Sequence, residues 1–310
     1  MSPRRPVKKS GQGHQFGGSW TTAKLEVIAK YLSSYTTALQ DKPSKQHPFR
    51  KGYIDAFAGT GYREVRREAT DAKSPQVPLL PDPAEQEPQA FLDGSARLAL
   101  KTEPRFDSYI FIERSMARSE QLEALKSEFP DLANSIQIRR GDANVEIQKL
   151  CKKDWRSNRA VLFLDPYGMQ VEWKSIEAVA ETKAIDVWIL FPLGPVNRLL
   201  KKSGDIPESW RKCLDLLLGT PNWYGEFYQV EREHGLFGDA DHVVKATTET
   251  IGRYFNQRLR SIFAGVADQP KVLRNSANSP LYLLCFAVGN RNGAPIALRI
   301  ANHLLKEAIR

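Results

Sequence analysis

YIDAFAGTG, the segment Tyr53–Gly61, joins a short apolar run to two glycines that stand two positions apart. The apolar run predicts a buried β-strand. Gly59 and Gly61 allow backbone torsions and a close approach that a β-carbon would block, so backbone N–H groups there can face a ligand. The segment indicates a nucleotide-like cofactor; the alternative is an ordinary strand-to-helix turn, which can have the same sequence pattern.

Further apolar runs follow this segment and alternate with helical patterns. The predicted strands are Tyr109–Ile112, Ile136–Arg139, Ala160–Leu164 and Ile185–Phe191. Continuous apolar strands between helices indicate a parallel sheet that is buried on both faces. Lys271–Arg274 and Leu281–Val288 are predicted to form an antiparallel pair at the sheet edge. The expected fold class is α/β: a Rossmann-like, mostly parallel sheet with an antiparallel C-terminal strand pair and helices on both faces.

Helices are predicted near both ends of the chain. Trp20–Leu39 is amphipathic, and its apolar stripe is expected to pack on the sheet; the stripe comprises Leu25, Ile28, Leu32, Tyr35 and Leu39. A second helix is predicted over Pro295–Ile309. The domain organisation expected is a disordered basic tail at 1–18 and a single domain at 19–310, with insertions at about 66–93 and 203–241.

Acidic residues follow the predicted strands at their C-terminal ends. Asp55 ends the first strand, and Glu113, Asp142 and Asp165 follow the next three. Ligands of open parallel sheets bind at this edge. Glu113 is a candidate acceptor for ribose hydroxyl groups, and Asp142 is a candidate acceptor for an adenine amino group, with the backbone of Ala143 against the ring. The alternative for Glu113 and Asp142 is a cap at a helix start.

This order of strands and acids resembles the class I S-adenosylmethionine-dependent methyltransferases over roughly Tyr53–Val288. The resemblance implies S-adenosyl-L-methionine as the cofactor. Its implied binding residues are Asp55, Phe57, Gly59, Gly61, Glu113, Asp142 and Ala143. The first two acids are further apart than the usual ~20 residues. The proline-rich segment Thr70–Pro88, expected to be a loop or lid, accounts for the difference.

Asp165-Pro166-Tyr167-Gly168 is the motif that bears on the chemistry. It resembles the Asp-Pro-Pro-Tyr of amino-group methyltransferases, in which the acid and the following carbonyl hold an NH₂ group and the aromatic ring stacks on the base. The aromatic residue stands one position early here, which is closer to some guanine-N2 methyltransferases of transfer RNA. The alternative is a capped turn before a helix. A Pro-Cys nucleophile, as in cytosine-C5 enzymes, does not occur in the sequence.

The formal net charge of +9 favours a polyanionic partner such as nucleic acid. Four of these charges lie in the N-terminal tail, at Arg4, Arg5, Lys8 and Lys9. The candidate phosphate contacts are Arg63, Arg66, Arg67, Lys152 and Lys153. A solvated basic face is the alternative. The aromatic residues of the second insertion are expected to form a small core rather than to stack on bases; they are Trp210, Trp223, Tyr224, Phe227 and Tyr228.

Other classes of site are disfavoured. The three cysteines are far apart and form no C-x-x-C pair, and the histidines lack metal-ligand spacing, so neither a disulfide framework nor a metal site is expected. No apolar segment approaches the ~20 residues that cross a bilayer, and the basic start lacks the apolar core of a secretory signal. The expected protein is soluble and cytoplasmic.

In combination, several motifs are similar to those of the three-Cys-motif partner proteins, from about Trp20 to the end of the chain. They are Trp20-Thr21-x-x-Lys24-Leu25, Tyr53–Gly61, Gly94-Ser95, Gly141-Asp142-Ala143-Asn144, Leu164–Gly168 with Glu172-Trp173, and Tyr282–Phe286. The resemblance implies a methyltransferase-like fold and a companion three-Cys-motif protein.

The leading hypothesis is an S-adenosylmethionine-dependent N-methyltransferase that acts on an exocyclic amino group of a DNA or RNA base and works with a partner protein. A catalytically silent binding module for a partner protein or nucleic acid is the second hypothesis. A small-molecule methyltransferase is the third.

Overall fold

The computed structural model describes residues 19–58, 94–235 and 238–307. Several predictions fall outside these residues: the N-terminal tail, the Thr70–Pro88 segment, Gly59, Gly61, Arg63, Arg66 and Arg67.

The described residues contain ten strands. They are β1 (Arg50–Asp55), β2 (Ser108–Glu113), β3 (Ile136–Arg140), β4 (Asn158–Leu164), β5 (Ile185–Phe191), β6 (Tyr228–Gly235), β7 (Gly238–Lys245), β8 (Gly265–Val266), β9 (Lys271–Arg274) and β10 (Pro280–Val288). Eight of them form one sheet in the order β3-β2-β1-β4-β5-β10-β8, with β9 also paired to β10. β1 to β5 are parallel, and β10 runs antiparallel to β5, β8 and β9. The predicted Rossmann-like, mostly parallel sheet with an antiparallel C-terminal strand pair is confirmed.

The helices of the described residues cover this sheet. They are α1 (Ser19–Ala38), α2 (Ser95–Leu100), α3 (Met116–Glu123), α4 (Leu125–Glu128), α5 (Ala143–Cys151), α6 (Trp173–Glu181), α7 (Leu193–Leu199), α8 (Glu208–Leu218), α9 (Trp223–Phe227), α10 (Thr248–Arg260) and α11 (Ala294–Glu307). A 3₁₀ turn spans Pro130–Ser135. The two helices expected near the chain ends are α1 and α11.

Two hydrophobic layers lie on opposite faces of the sheet. Successive side chains of a strand point to opposite faces, so Val187 and Ile189 join the layer of α5, α6 and α10, while Trp188 and Leu190 join the layer of α1, α2 and α11. All seven residues of β5 are buried. Burial on both faces explains why every residue of this strand except Asp186 is apolar.

The buried stripe of α1 differs in part from the predicted one. Ile28, Leu32 and Tyr35 are buried as expected, whereas Leu25 and Leu39 are only half-buried. The stripe instead includes Trp20, Lys24, Val27 and Tyr31. It is rotated in this way because the polar ends of Lys24 and Tyr31 reach carboxylates of the sheet.

The aromatic residues of the second insertion have a core role, as predicted, but they join the main hydrophobic layer and do not form a separate small core. Trp223, Phe227 and Tyr228 are buried and continuous with the layer of α6 and α10, and Trp210 and Tyr224 pack against it half-buried. The antiparallel ribbon of β6 and β7 was not predicted. Its described side chains are mostly exposed, so the sequence lacks the apolar alternation that marks a half-buried strand.

A buried carboxylate connects α1, β5 and the end of β10. Asp186, the second residue of β5, accepts hydrogen bonds from the Tyr31 hydroxyl at 3.0 Å and from the Gly289 N–H at 3.1 Å. Burial raises the pKa of Asp186 to about 7, although these two hydrogen bonds oppose the rise. The carboxyl group lies on the α1 face of the sheet because position 186 has the same parity as Trp188 and Leu190.

Asp186 is predicted to make folding pH-dependent. Its pKa is higher in the folded than in the unfolded chain, so the native state binds more protons between about pH 4 and 7, and stability falls as pH rises through this window. Asp186→Asn cannot ionise. The free energy of unfolding of the variant, relative to wild type, should therefore rise with pH, by at most about 1.4 kcal/mol per pH unit.

Urea denaturation between pH 4.5 and 8 measures this difference. Asp205→Asn, at an exposed position, is the control and should follow the wild-type profile. Parallel profiles for Asp186→Asn and wild type would contradict the assignment.

Candidate active site

The C-terminal ends of β1 to β4 meet at one edge of the sheet. Asp55 is the last residue of β1 and pairs in register with Phe163 of β4, so Asp165 follows two residues beyond it. Glu113 ends β2, and Asp142 follows the end of β3. β1 and β4 are neighbours in the sheet, and the order in which strands follow along the chain reverses between them: β2 and β3 lie on one side and β5 on the other. In open α/β sheets, this reversal opens the crevice in which ligands bind.

Asp55 is fully buried at the centre of this edge. Its carboxylate accepts hydrogen bonds from the Phe57 N–H and the Tyr53 hydroxyl, each at 3.3 Å. Burial is the main cause that raises the pKa of Asp55 to about 6; the nearby Asp165 adds to the rise, and a hydrogen bond from Ser95 opposes it. The contact with Phe57 holds the backbone in the turn that follows β1.

Asp165 forms a hydrogen-bonded ion pair with Lys24 of α1. The side chain of Lys24 is 7% exposed, and that of Asp165 is 26% exposed. Position 165 continues the alternation of Val161 and Phe163, whose side chains face the α1 layer, and this parity brings Asp165 under Lys24. The Lys24 Nζ also lies 5.1 Å from the centroid of the Trp20 ring.

Lys24 was not predicted as a site residue. The sequence analysis quoted it only within the Trp20-Thr21-x-x-Lys24-Leu25 motif. The available signal was its position: a lysine one turn from Trp20 and seven residues from Tyr31 lies on the buried stripe of α1. Lysine is almost never fully buried unless it is paired, so a lysine on an apolar stripe indicates a partner.

The segment after Asp165 is a turn that presents an aromatic ring. Pro166 is buried, while Tyr167 is 46% exposed. Gly168 has a φ of +66°, a conformation that side-chain-bearing residues rarely adopt. The predicted catalytic residues, Asp165, Pro166, Tyr167 and Gly168, thus lie in one turn at the C-terminal edge. Their catalytic roles stay predictions.

Asn144 ties this turn to α5. Its side-chain amide donates to the Gln170 carbonyl at 2.8 Å, and its Oδ1 accepts from the Glu172 N–H at 2.9 Å and from the Ser175 hydroxyl at 3.0 Å. The side chain is nearly buried. The sequence analysis assigned Asn144 only to a family motif, and its bridging role depends on the packing of α5 against α6.

Glu113 and Asp142 lie on the other side of Asp55. Glu113 is 8% exposed, and its Oε1 accepts from the Ser115 N–H at 2.7 Å and lies 3.4 Å from Nε of Arg118. Asp142 is exposed and caps α5, because its Oδ1 accepts from the Val145 N–H at 3.1 Å. The capping role considered for Asp142 is therefore present. A cap uses one carboxylate oxygen and leaves the other for a ligand.

These groups fit the sugar and base of a nucleoside cofactor. Within the described part of the chain, both contacts of the Glu113 carboxylate involve Oε1, which leaves Oε2 for ribose hydroxyl groups. Ala143 is the buried first residue of α5, and the first N–H groups of a helix have no partner within the helix. Phe57, which is also predicted to contact the cofactor, is half-buried just after the end of β1.

The structure separates two predicted nucleic-acid contacts from this edge. Lys152 and Lys153 are exposed and follow the end of α5, so about 13 Å of helix lies between them and Asp142. Exposed arginines that the sequence analysis did not select lie nearer the site: Arg114 and Arg118 follow β2, and Arg140 ends β3.

Comparisons with known proteins identify only distant similarities. No family model matches the chain, and no curated protein matches it. A solved Legionella pneumophila str. Philadelphia 1 protein described by family-model DUF519 is 11% identical, with a TM-score of 0.43, over 95% of this chain and 94% of that one. The O-methyltransferase TomG from Streptomyces achromogenes, solved in complex with SAM, is 12% identical, with a TM-score of 0.33, over 76% of this chain and 92% of that one.

At these identities and TM-scores, neither similarity carries an argument about the activity of this chain. The fold assignment rests on the order and direction of its own strands. Across the described ranges, no helix is long and apolar enough to span a membrane, and no group of three or more His, Cys, Asp or Glu side chains could hold a metal ion.

Asn144→Ala is predicted to destabilise the fold by about 2–3 kcal/mol, because it removes three hydrogen bonds and leaves partly buried backbone groups unpaired. The free energy of unfolding from urea denaturation checks this. Asn222→Ala is the control: Asn222 is exposed, its side chain makes no capping hydrogen bond, and the change should cost less than about 0.5 kcal/mol. Equal losses in the two variants would contradict the bridging role.

Proposed function

We propose that this chain is an S-adenosylmethionine-dependent methyltransferase that acts on an exocyclic amino group of a nucleic-acid base, in DNA or RNA. The observation that carries the proposal is the position of Asp165 directly after β4, beside Asp55 at the edge where β1 and β4 adjoin. Ligands of this sheet class bind at that reversal of strand order. When bound there, S-adenosyl-L-methionine would supply an electrophilic methyl group.

The residues proposed to hold the cofactor follow the strand ends. Asp55 and Phe57 shape the turn that leads into Gly59 and Gly61, and the glycine backbone would lie against the methionine part. Glu113 would accept hydrogen bonds from the ribose, and Asp142 and Ala143 would contact the adenine. The buried carboxylate of Glu113, whose described contacts both involve Oε1, supports this assignment.

The residues proposed to hold the acceptor belong to the turn after β4. The Asp165 carboxylate and the Pro166 carbonyl would accept the two N–H groups of the amine, which directs the nitrogen lone pair towards the methyl group. The half-exposed ring of Tyr167 would stack on the base, and Gly168 permits the turn that presents it. Catalysis in this arrangement comes mainly from the positioning of two reactants.

The polyanionic substrate is supported by the net charge of +9. Arg63, Arg66 and Arg67, near the glycine turn in sequence, are proposed phosphate contacts. Lys152 and Lys153 remain proposed contacts for a substrate long enough to pass around the sheet. A three-Cys-motif protein is the proposed partner, on the motifs that resemble those of the partner family, and the cytoplasm is the proposed compartment.

A silent binding module is the second candidate function, and one observation favours it. The Asp165 carboxylate, which would hold the acceptor amine, is already hydrogen-bonded to Lys24. A domain that recognises a partner protein or nucleic acid without turnover could keep this pair permanently. Co-purification of the partner without methyl incorporation into any nucleic acid would favour this candidate.

Calorimetry with S-adenosyl-L-methionine is predicted to show binding to the wild type. Glu113→Ala should weaken binding about 10- to 100-fold, the range expected for loss of hydrogen bonds to a charged group. Glu120→Ala, at an exposed position on α3, is the control and should bind as the wild type does. No binding to the wild type, or full binding to Glu113→Ala, would reject the cofactor assignment.

Labelled S-adenosyl-L-methionine is predicted to methylate nucleosides in total cellular RNA or DNA, with the partner protein present or absent. Asp165→Ala should abolish incorporation and leave the calorimetric cofactor affinity unchanged, because Asp165 contacts the acceptor. Nucleoside analysis should locate the label on an exocyclic nitrogen. Incorporation that falls steeply with salt supports a nucleic-acid substrate, since phosphate contacts release counterions. Label on oxygen would contradict the acceptor assignment.

A further inference from the structure

We propose that Lys24 is part of the acceptor site: it orients the Asp165 carboxylate and donates a hydrogen bond to the substrate atom next to the reacting amino group. This inference rests on the proposed function and specifies its substrate class. The acceptor would be a base edge that carries an NH₂ group beside a ring nitrogen or carbonyl oxygen.

The first observation is the hydrogen-bond inventory of Lys24. A lysine ammonium group has three N–H donors and no acceptor. Among the residues that the structure describes, Asp165 is the one hydrogen-bond partner of Lys24, and the Trp20 ring contacts the same ammonium group by a cation–π interaction. The side chain is 7% exposed. A nearly buried ammonium group whose described partners use one of its three donors is suited to an acceptor atom of a ligand.

The second observation is the place of the pair in the fold. Lys24 lies in the first turns of α1, and Trp20 on the same face stacks on Tyr282 of β10 with ring centroids 5.4 Å apart. α1 therefore extends over the C-terminal edge rather than ending at the face of the sheet. Lys24 meets Asp165 at the edge where the acceptor would enter, on the side opposite to Glu113.

The third observation is chemical complementarity. A carboxylate beside an ammonium group presents an acceptor next to a donor. An exocyclic NH₂ group beside a ring nitrogen presents a donor next to an acceptor, and enzymes that modify bases read this edge by hydrogen bonds. A substrate could thus bind while Asp165 and Lys24 remain paired, the amine on Oδ1 and the ring nitrogen on Nζ. The ion pair is then part of the site rather than an obstacle to the substrate.

The charge arrangement also favours a retained pair. Asp55 is buried close to Asp165, and a second uncompensated carboxylate beside it would be unfavourable. Lys24 balances the charge of Asp165 and restricts its orientation, since a charge-assisted hydrogen bond fixes one carboxylate oxygen. The contact with Lys24 uses Oδ2, so Oδ1 is the oxygen proposed to accept from an amine N–H.

The test uses the full chain with labelled S-adenosyl-L-methionine and total cellular RNA or DNA. Lys24→Met keeps the apolar stem and removes the ammonium group. We expect kcat to fall about 100-fold, because the Asp165 carboxylate and the amine that it holds would no longer be correctly positioned. The calorimetric affinity for the cofactor should stay within about twofold of wild type. Lys24→Arg retains a charged donor, and its kcat should be at least about tenfold above that of Lys24→Met.

Lys30→Met is the matched control. Lys30 lies on the same helix and pairs with Glu26 at 2.9 Å, but its side chain is 51% exposed. Its kcat should equal that of the wild type. If Lys24→Met does not fold, as judged by circular dichroism, Lys24→Gln, which keeps an N–H donor without the charge, is compared with Lys24→Arg. Higher activity of Lys24→Arg then supports the inference, and equal wild-type activity of both overturns it.

A substrate change tests the second hydrogen bond. Once nucleoside analysis identifies the target base, an oligonucleotide in which carbon replaces the ring nitrogen beside the amino group should react at least about tenfold more slowly with the wild type. With Lys24→Met the same replacement should have no further effect, because the donor is already missing. Equal, independent losses in the two enzymes would overturn the contact.

The two possible failures are distinguishable. A wild type that neither binds the cofactor nor incorporates methyl groups overturns the proposed function, and this inference with it. A wild type that is active, with Lys24→Met retaining its kcat within about threefold, overturns the inference alone. A Lys24→Met variant that loses cofactor affinity together with activity also overturns it, since the role would then be general stability.

Discussion

Two carboxylates hold helix α1 across one face of the sheet. Asp186 accepts from Tyr31 near the start of β5, and Asp165 accepts from Lys24 beyond the end of β4, so opposite edges of the sheet are tied to the same helix. Both carboxylates face α1 because their positions continue the alternation of buried residues in β4 and β5. The packing of this layer and the geometry of the candidate site depend on this arrangement.

The two ties have different consequences. Asp186 is buried among apolar groups, and its raised pKa makes it a group whose ionisation opposes folding near neutral pH. Asp165 is partly exposed at the edge where ligands bind, and it has a cationic partner. A carboxyl group that contacts α1 is thus buried at one edge of the sheet and partly exposed at the other, where we propose that a ligand binds.

Several residues of the candidate site have structural roles that the sequence does not reveal. Asp55 is fully buried and organises the turn through Phe57 and Tyr53. Asp142 caps α5, and Asn144 bridges α5 to the turn after β4. Glu113, Asp142 and Asp165 each keep one carboxylate oxygen that their described contacts do not use. The candidate site is thus held in place by residues whose own contacts are with other residues of the chain.

The sequence by itself determined the sheet class. Strands that are buried on both faces require runs of apolar residues, and such runs can be recognised in the sequence alone. β5 was predicted at its observed limits, and the acids at the strand ends followed from the same pattern. The ribbon of β6 and β7 could not be predicted from the sequence, since strands with exposed side chains lack the apolar pattern that predicts a strand. Only the tertiary structure decided the contacts of Lys24 and Asn144. Their partners are distant in the chain, and a contact over 141 residues depends on the rotation of a helix against a sheet, which local patterns do not encode.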